Sequence, residues 1–193
     1  MAYFKFYCLI CVCSSLLFAC SSLDYDIVED RYKQKILNLS GDNLITIPDS
    51  VFKFKKVEEL YFGPSDLVMY GGIGNLTDKV NYLNNIPFKI CKLKHLKVLD
   101  LTFNKFTTLP NLGCCDSLIT LNVSFNSGLH IVDNIDAINN IKSLQNLIIL
   151  GTYFTQEDLM AVKKATKATL KIIYTFDDYL KFLGIPERPR KNN

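Results

Sequence analysis

The chain has 193 residues, enough for one ordinary domain, and 49% of them are apolar, including 13 Phe and 10 Tyr, which is ample material for a core. Its net charge of +3 is too weak to argue for a nucleic-acid partner, and the one basic block, RPRK from Arg188 to Lys191, reads as a solvated tail. The first twenty residues, MAYFKFYCLICVCSSLLFAC, carry a single charge, Lys5, then an apolar run, then small residues around Cys20. A charged start, a short apolar stretch and a small-residue cleavage site together make an export signal. Retained as an anchor, the run from Phe6 is short against the roughly 20 residues that a spanning helix needs.

LFAC, residues 17 to 20, resembles the lipobox of bacterial lipoproteins, with Leu17, Ala19 and Cys20 at matching positions. The resemblance implies a signal peptide over 1–19, acylation of Cys20 and a membrane anchor at that residue. Residue 21 is Ser rather than Asp, which by the sorting habits of such lipoproteins implies the outer membrane. The polar stretch SSLDYDIVEDRYK then reads as a tether, 20–32, leading into a folded domain, 33–193. One acyl chain holds a membrane only marginally, and the triacylated Cys of that family meets the need for more. Cys8, Cys11 and Cys13 leave with the signal, so Cys91, Cys114 and Cys115 remain in the body.

From Ile36 onward one rhythm recurs. ILNLSGDNLITIP from Ile36, VEELYFGPSDL from Val57, LKVLDLTFNKFTTLP from Leu96, LITLNVSFNSGLHIV from Leu118 and LQNLIILGTYFT from Leu144 each carry two apolar residues bracketing one other. IPDSVFKFKKVEEL (47–60) and IPFKICKLKHLKVL (86–99) also align position for position. This is similar to the LxxLxLxxN pattern of leucine-rich repeat proteins, over about residues 33–152. Leu37, Leu60, Leu99, Leu121 and Leu147 begin the units, 23, 39, 22 and 26 residues apart, so the second unit holds an insertion, placed at about 66–85. The implied fold is an α/β leucine-rich repeat solenoid: a short parallel β-sheet on the concave face, an irregular, 3-10 or helical convex side, and a C-terminal helical cap over about 153–193.

The rhythm has a direct physical reading. In a strand, alternate residues face opposite sides, so Leu99 points inward and Asp100 outward. Stacked coils then bury one continuous core that no single coil could cover. Asn104 and Asn126 fall where the strand ends, and an amide side chain can satisfy the turn's backbone donors and acceptors as a ladder. Asp42, Ser65 and Thr152 hold that position in the other coils. At the back, 155–168 reads as a helix with Thr155 and Asp158 as a capping box, 170–174 as a last strand, and 176–184 as a short closing helix stopped by Gly184 and Pro186.

Signals of chemistry are sparse. His95 and His130 have no Cys, Ser or carboxylate at a catalytic or metal spacing, GGIGN (71–75) does not join a strand to a helix, and Asp177 and Asp178 do not share a helix face. No enzyme activity, cofactor or metal is expected. NLS (38–40), NLT (75–77) and NVS (122–124) match the N-glycosylation acceptor, and Asn75 is the credible site in a eukaryotic source. Cys91 and Cys114 lie 23 residues apart, about one coil. Neighbouring strands are about 4.8 Å apart, which leaves two readings open: a disulfide, or two buried small residues.

The resemblance places binding on the outward face of the strands. Its candidate residues are Asn38, Tyr61, Asp100, Asn122 and Ile148, with Glu59, Val98, Thr120 and Asn146 beside them. Phe103 and Phe125 are either exposed aromatics of that face or part of the turn. The reading that follows is a membrane-anchored, exported binding module of the cell envelope, with a protein or glycan partner. The alternatives are a structural envelope lipoprotein without a discrete ligand, and a eukaryotic secreted or anchored leucine-rich repeat protein.

Overall fold

Only the middle of each unit runs straight, so every strand is three residues long. They are β1 (Ile36–Asn38), β2 (Glu59–Tyr61), β3 (Val98–Asp100), β4 (Thr120–Asn122), β5 (Asn146–Ile148) and β6 (Lys171–Ile173). The structure, a computed structural model, describes residues 33–64 and 80–185. The proposed signal peptide, Cys20 with its tether, Asn75 and the basic tail lie outside the described residues. The chain divides into two units, Met1–Arg31 and Tyr32–Asn193, and every described residue belongs to the second.

The six strands form one parallel sheet in chain order. Its register sets Leu37, Leu60, Leu99, Leu121, Leu147 and Ile172 in a single row. Leu60, Leu99, Leu121 and Leu147 are fully buried, and behind them Leu96, Leu118 and Leu144 fill the same core from the return segments. Four of the five returns carry a helix on the convex side, and the one between β3 and β4 is irregular. Pro48 and Pro87, in extended conformation, direct the chain into two short 3-10 helices, η1 (Asp49–Lys53) and η2 (Phe88–Lys92). The fourth coil returns through η3 (Ile131–Asn134) and α1 (Ile135–Asn140), and the fifth through α2 (Gln156–Ala165). Thr155 and Asp158 close the expected capping box on α2.

The turns are held by buried amides. Asn104 Oδ1 accepts from the Leu83 amide at 3.0 Å, and Asn126 Oδ1 accepts from the Phe106 amide at 3.1 Å. Asn126 Nδ2 donates back to the Leu101 carbonyl of the preceding coil at 3.0 Å and to Val123 of its own at 2.9 Å. In the second coil the residue doing this is Asn81, not Ser65. Its Oδ1 accepts from Leu44 at 2.8 Å, and its Nδ2 donates to Leu39 at 2.8 Å and Phe62 at 2.9 Å. The repeat therefore resumes at Asn81, with Leu83 fully buried, and the insertion ends before that residue rather than at 85. Counting on from Leu60 reached Ser65 because the extra residues precede the amide. At the ends the ladder stops: Asp42 is exposed, and the Thr152 hydroxyl donates only within its own turn, to Ile149 at 2.8 Å.

Cys91 and Cys114 are joined as a disulfide across neighbouring coils, with Cα atoms 5.3 Å apart. Cys115 is the free, buried thiol among the described residues, and burial pushes it up to about 11. It is a packing residue rather than a nucleophile. A bridge closing a 23-residue loop stabilises mainly by constraining the unfolded chain. Replacing both Cys91 and Cys114 by Ala is expected to lower the unfolding free energy by roughly 3 kcal/mol in urea titration without reductant. An unchanged midpoint, or reaction of three body thiols with an alkylating agent before reduction, would contradict the bridge.

Candidate binding face

The outward face of the sheet changes character along its length. At β1 to β3 it is open. Ile36 is 56% exposed, Asn38 is exposed, and Glu59, Tyr61 and Val98 are half-buried. The Tyr61 hydroxyl donates to Glu59 Oε2 at 2.7 Å, so the two present one coupled polar and aromatic surface.

Further along, the candidates are taken up by the fold. Asp100 Oδ1 accepts from the Thr102 amide at 2.8 Å, and Asn122 Oδ1 accepts from the Ser124 amide at 3.1 Å. These are Asx-turns, in which a side chain replaces the next backbone acceptor and ends the strand. Asn38 does the same for Ser40 at 2.9 Å. Asn122 Nδ2 then donates to Asp100 Oδ2 at 2.9 Å, linking two coils. Asp100, Asn122 and Thr120 are all buried, which corrects their assignment as contact residues. Asn146 is half-buried and donates to the Thr120 hydroxyl at 3.2 Å. The same geometry explains two of the three glycosylation matches. NLS at 38 and NVS at 122 are strand-ending turns, and Asn122 is buried in one of them.

Phe103 and Phe125 sit in the left-handed region, at φ 54° and 56°. Bulky residues there cost on the order of 1 kcal/mol or more each. Their rings stack at 4.4 Å between centroids, 8° from parallel, a pair contact of roughly 0.5–1.5 kcal/mol that offsets part of the combined cost. Each is half-buried, so they belong to the turn and show one edge to solvent. The equivalent residue of the next coil is Gly151, at φ 60°, where an added Cβ would lie 2.4 Å from the Phe125 ring.

At the far end the face is closed. Ile148, Leu150 and Ile173 point away from the main core and form a second one with Tyr179. Tyr179 belongs to α3 (Phe176–Phe182), whose Phe182 and the following Leu183 complete the packing. Thr175 caps this helix by accepting from the Asp178 amide at 3.1 Å. The Lys171 ammonium lies over the Phe182 ring at 5.8 Å. The closing helix thus lies on the concave side, over β5 and β6, and Ile148 is core, not contact surface. Two apolar faces on these strands demanded cover on both.

The residues without a recognised chemistry stay apart. His130 packs its ring on Tyr153 at 4.6 Å, and His95 is exposed on the return to β3. Among the described residues no group of three His, Cys, Asp or Glu side chains is placed to share a metal ion. Among them, too, no helix is long and apolar enough to cross a membrane.

No family model matches the chain. Over 99 residues, 47% of its length, it is 31% identical to adenylate cyclase of Schizosaccharomyces pombe, of which that stretch is 6%. Among solved structures it is similar to the leucine-rich repeat domain of APL1B, at 17% identity and TM-score 0.43, covering 72% of this chain and 43% of that one. It is also similar to a leucine-rich repeat protein of Leptospira interrogans, LIC12759, at 22% identity and TM-score 0.41, covering 77% and 45%. The chain spans less than half the length of each of these proteins.

Asp100→Ala removes the Thr102 and Asn122 partners from a buried site and is expected to cost about 1 to 3 kcal/mol. Gly151→Ala is expected to cost more than about 1 kcal/mol through its backbone angle alone, with the Phe125 contact added. Thermal or urea unfolding checks both, and wild-type stability in either would contradict the assignment. The row of six parallel strands, one from each successive coil and joined by buried turn amides, makes the folded unit a leucine-rich repeat solenoid.

Proposed function

We propose that the chain is an exported, non-enzymatic binding module, tethered to a membrane through lipid on Cys20, that engages a protein partner through the open half of its concave face. The carrying observation is the contrast along that face. Ile36, Glu59, Tyr61 and Val98 remain accessible on β1 to β3, whereas α3 fills the same side over β5 and β6. An accessible surface mixing an aromatic, a carboxylate and aliphatics suits a protein partner. A glycan would use Tyr61 and Glu59 through the same pair of groups.

The disulfide supports the exported reading, because such bridges persist in oxidising compartments. The lipobox resemblance at LFAC supports the anchor, and Ser21 the outer membrane.

Two measurements test this. Palmitate label is expected in the wild type and absent from Cys20→Ala. Glu59→Ala with Tyr61→Ala is expected to keep the unfolding midpoint and weaken a partner recovered with the wild-type chain by at least tenfold, the loss of about 1.4 kcal/mol. Undiminished binding by that double variant would move the site off β2. Equal label in both chains would remove the anchor.

A further inference from the structure

The two coils nearest the tether carry a one-sided charge. Lys53, Lys56, Lys92 and Lys94 are exposed along their return segments, and Lys53 and Lys55 of the first coil recur as Lys92 and Lys94 of the second. Lys53 and Lys56 have no acidic partner among the described residues. The acids nearby are already used: Asp49 pairs with Lys89 at 2.6 Å, and Glu58 with Lys35 at 2.8 Å and Lys97 at 2.7 Å. Those two ammoniums hold the Glu58 carboxyl at about 2, so it stays charged and matched near neutral pH. The following two coils lack this surplus, with Asp116, Asp133 and Asp136 against Lys105 and Lys142.

Within this basic surface stands an apolar residue. Phe88 opens η2 and is 77% exposed, the most exposed large hydrophobic side chain among the described residues. Its counterpart in the first coil is Asp49, so the core does not ask for a ring there. Lys92 closes the same short helix. An exposed ring on a return segment that also exposes Lys92 and Lys94 fits an interface with anionic headgroups outside and hydrocarbon just below.

We propose that the convex return segments of the first two coils lie on an anionic phospholipid surface, with Phe88 entering the headgroup layer and Lys53, Lys56 and Lys92 on its phosphates. This deepens the reading of a Cys20 anchor and rests on it for proximity. The tether enters at the first coil, and the thirteen or so residues between Cys20 and Lys33 reach at most about 45 Å, so lipid on Cys20 keeps these coils within that distance of the bilayer. Seated this way, the solenoid turns its concave face away from the lipid, toward a partner.

The chain contains no Trp, so Phe88→Trp in the full-length protein is a reporter at this one place. Its emission is expected to shift to the blue on phosphatidylglycerol vesicles, not on phosphatidylcholine vesicles, and to revert in high salt. Adding Lys53→Gln, Lys56→Gln and Lys92→Gln is expected to raise the lipid concentration at half-shift by roughly a hundredfold, about fivefold per lysine. These variants lie on exposed positions and are expected to keep the circular dichroism spectrum of the parent chain. No shift on anionic vesicles, or the same shift on neutral ones, overturns the proposal. A shift with dextran sulfate and none with vesicles also overturns it, in favour of an acidic polysaccharide. Because the readout is at residue 88, it separates from the anchor: loss of palmitate label with the shift intact removes only Cys20.

Discussion

A chain that turns sharply inside a core must find partners for the backbone groups it strips of water, and among the described residues Asn81, Asn104 and Asn126 supply them at the strand-end turns, with Asn134 doing the same for Leu109 in the return segment. Asn81, Asn104 and Asn126 each accept one amide from the preceding coil through Oδ1. Through Nδ2 each donates to one or more carbonyls. Asn is suited to this because one planar group is both donor and acceptor. Leaving such a group unpaired costs about 1 to 3 kcal/mol, a large part of the stability of an ordinary domain. The apolar row from Leu37 to Ile172 supplies the driving force for stacking. The amides fix the spacing and register at which it happens.

That constraint shapes the surface. Strands of three residues leave only two outward side chains each, and the second of these in β1, β3 and β4 is spent on ending the strand. Asn38, Asp100 and Asn122 bond the amide two residues on, so much of what faces outward is structural. What stays open lies toward β2, where Tyr61 stands in place of an Asx residue and bonds sideways to Glu59. At the other end, Ile148 and Ile173 call for a second cover, and α3 supplies it. One short sheet therefore has an open outward face at its beginning and a second core at its end.

Much of this was legible in the residues. The Leu spacing set the strands and their register, and Thr155 with Asp158 marked α2. The misreadings have physical causes. Asn81 was hidden because spacing was counted through the insertion, although NYL at 81–83 matches NKF at 104–106 in the order amide, variable residue, buried residue. Asp100 and Asn122 were read by the direction they point, not by their neighbours. Asx-x-Ser/Thr, present at 38–40, 100–102 and 122–124, was the signal for a turn. LIILG and KIIY are apolar at successive positions, and strands that read so are covered on both faces. That pattern is the signal for a cover over Ile148 and Ile173, whereas alignment with the other strands puts Ile148 on the open face.

Hydrogen exchange in Asn81→Ala tests the shared-amide arrangement most directly, since the rung across the insertion is the one that simple spacing does not anticipate. The Leu44 amide, which donates to Asn81 at 2.8 Å, is expected to lose protection equivalent to about 1 to 3 kcal/mol, while Phe106, held by Asn126, keeps most of its own. Unchanged protection at Leu44, or equal loss at both amides, would contradict Asn81 as the second rung and with it the stacking of the coils through their turns.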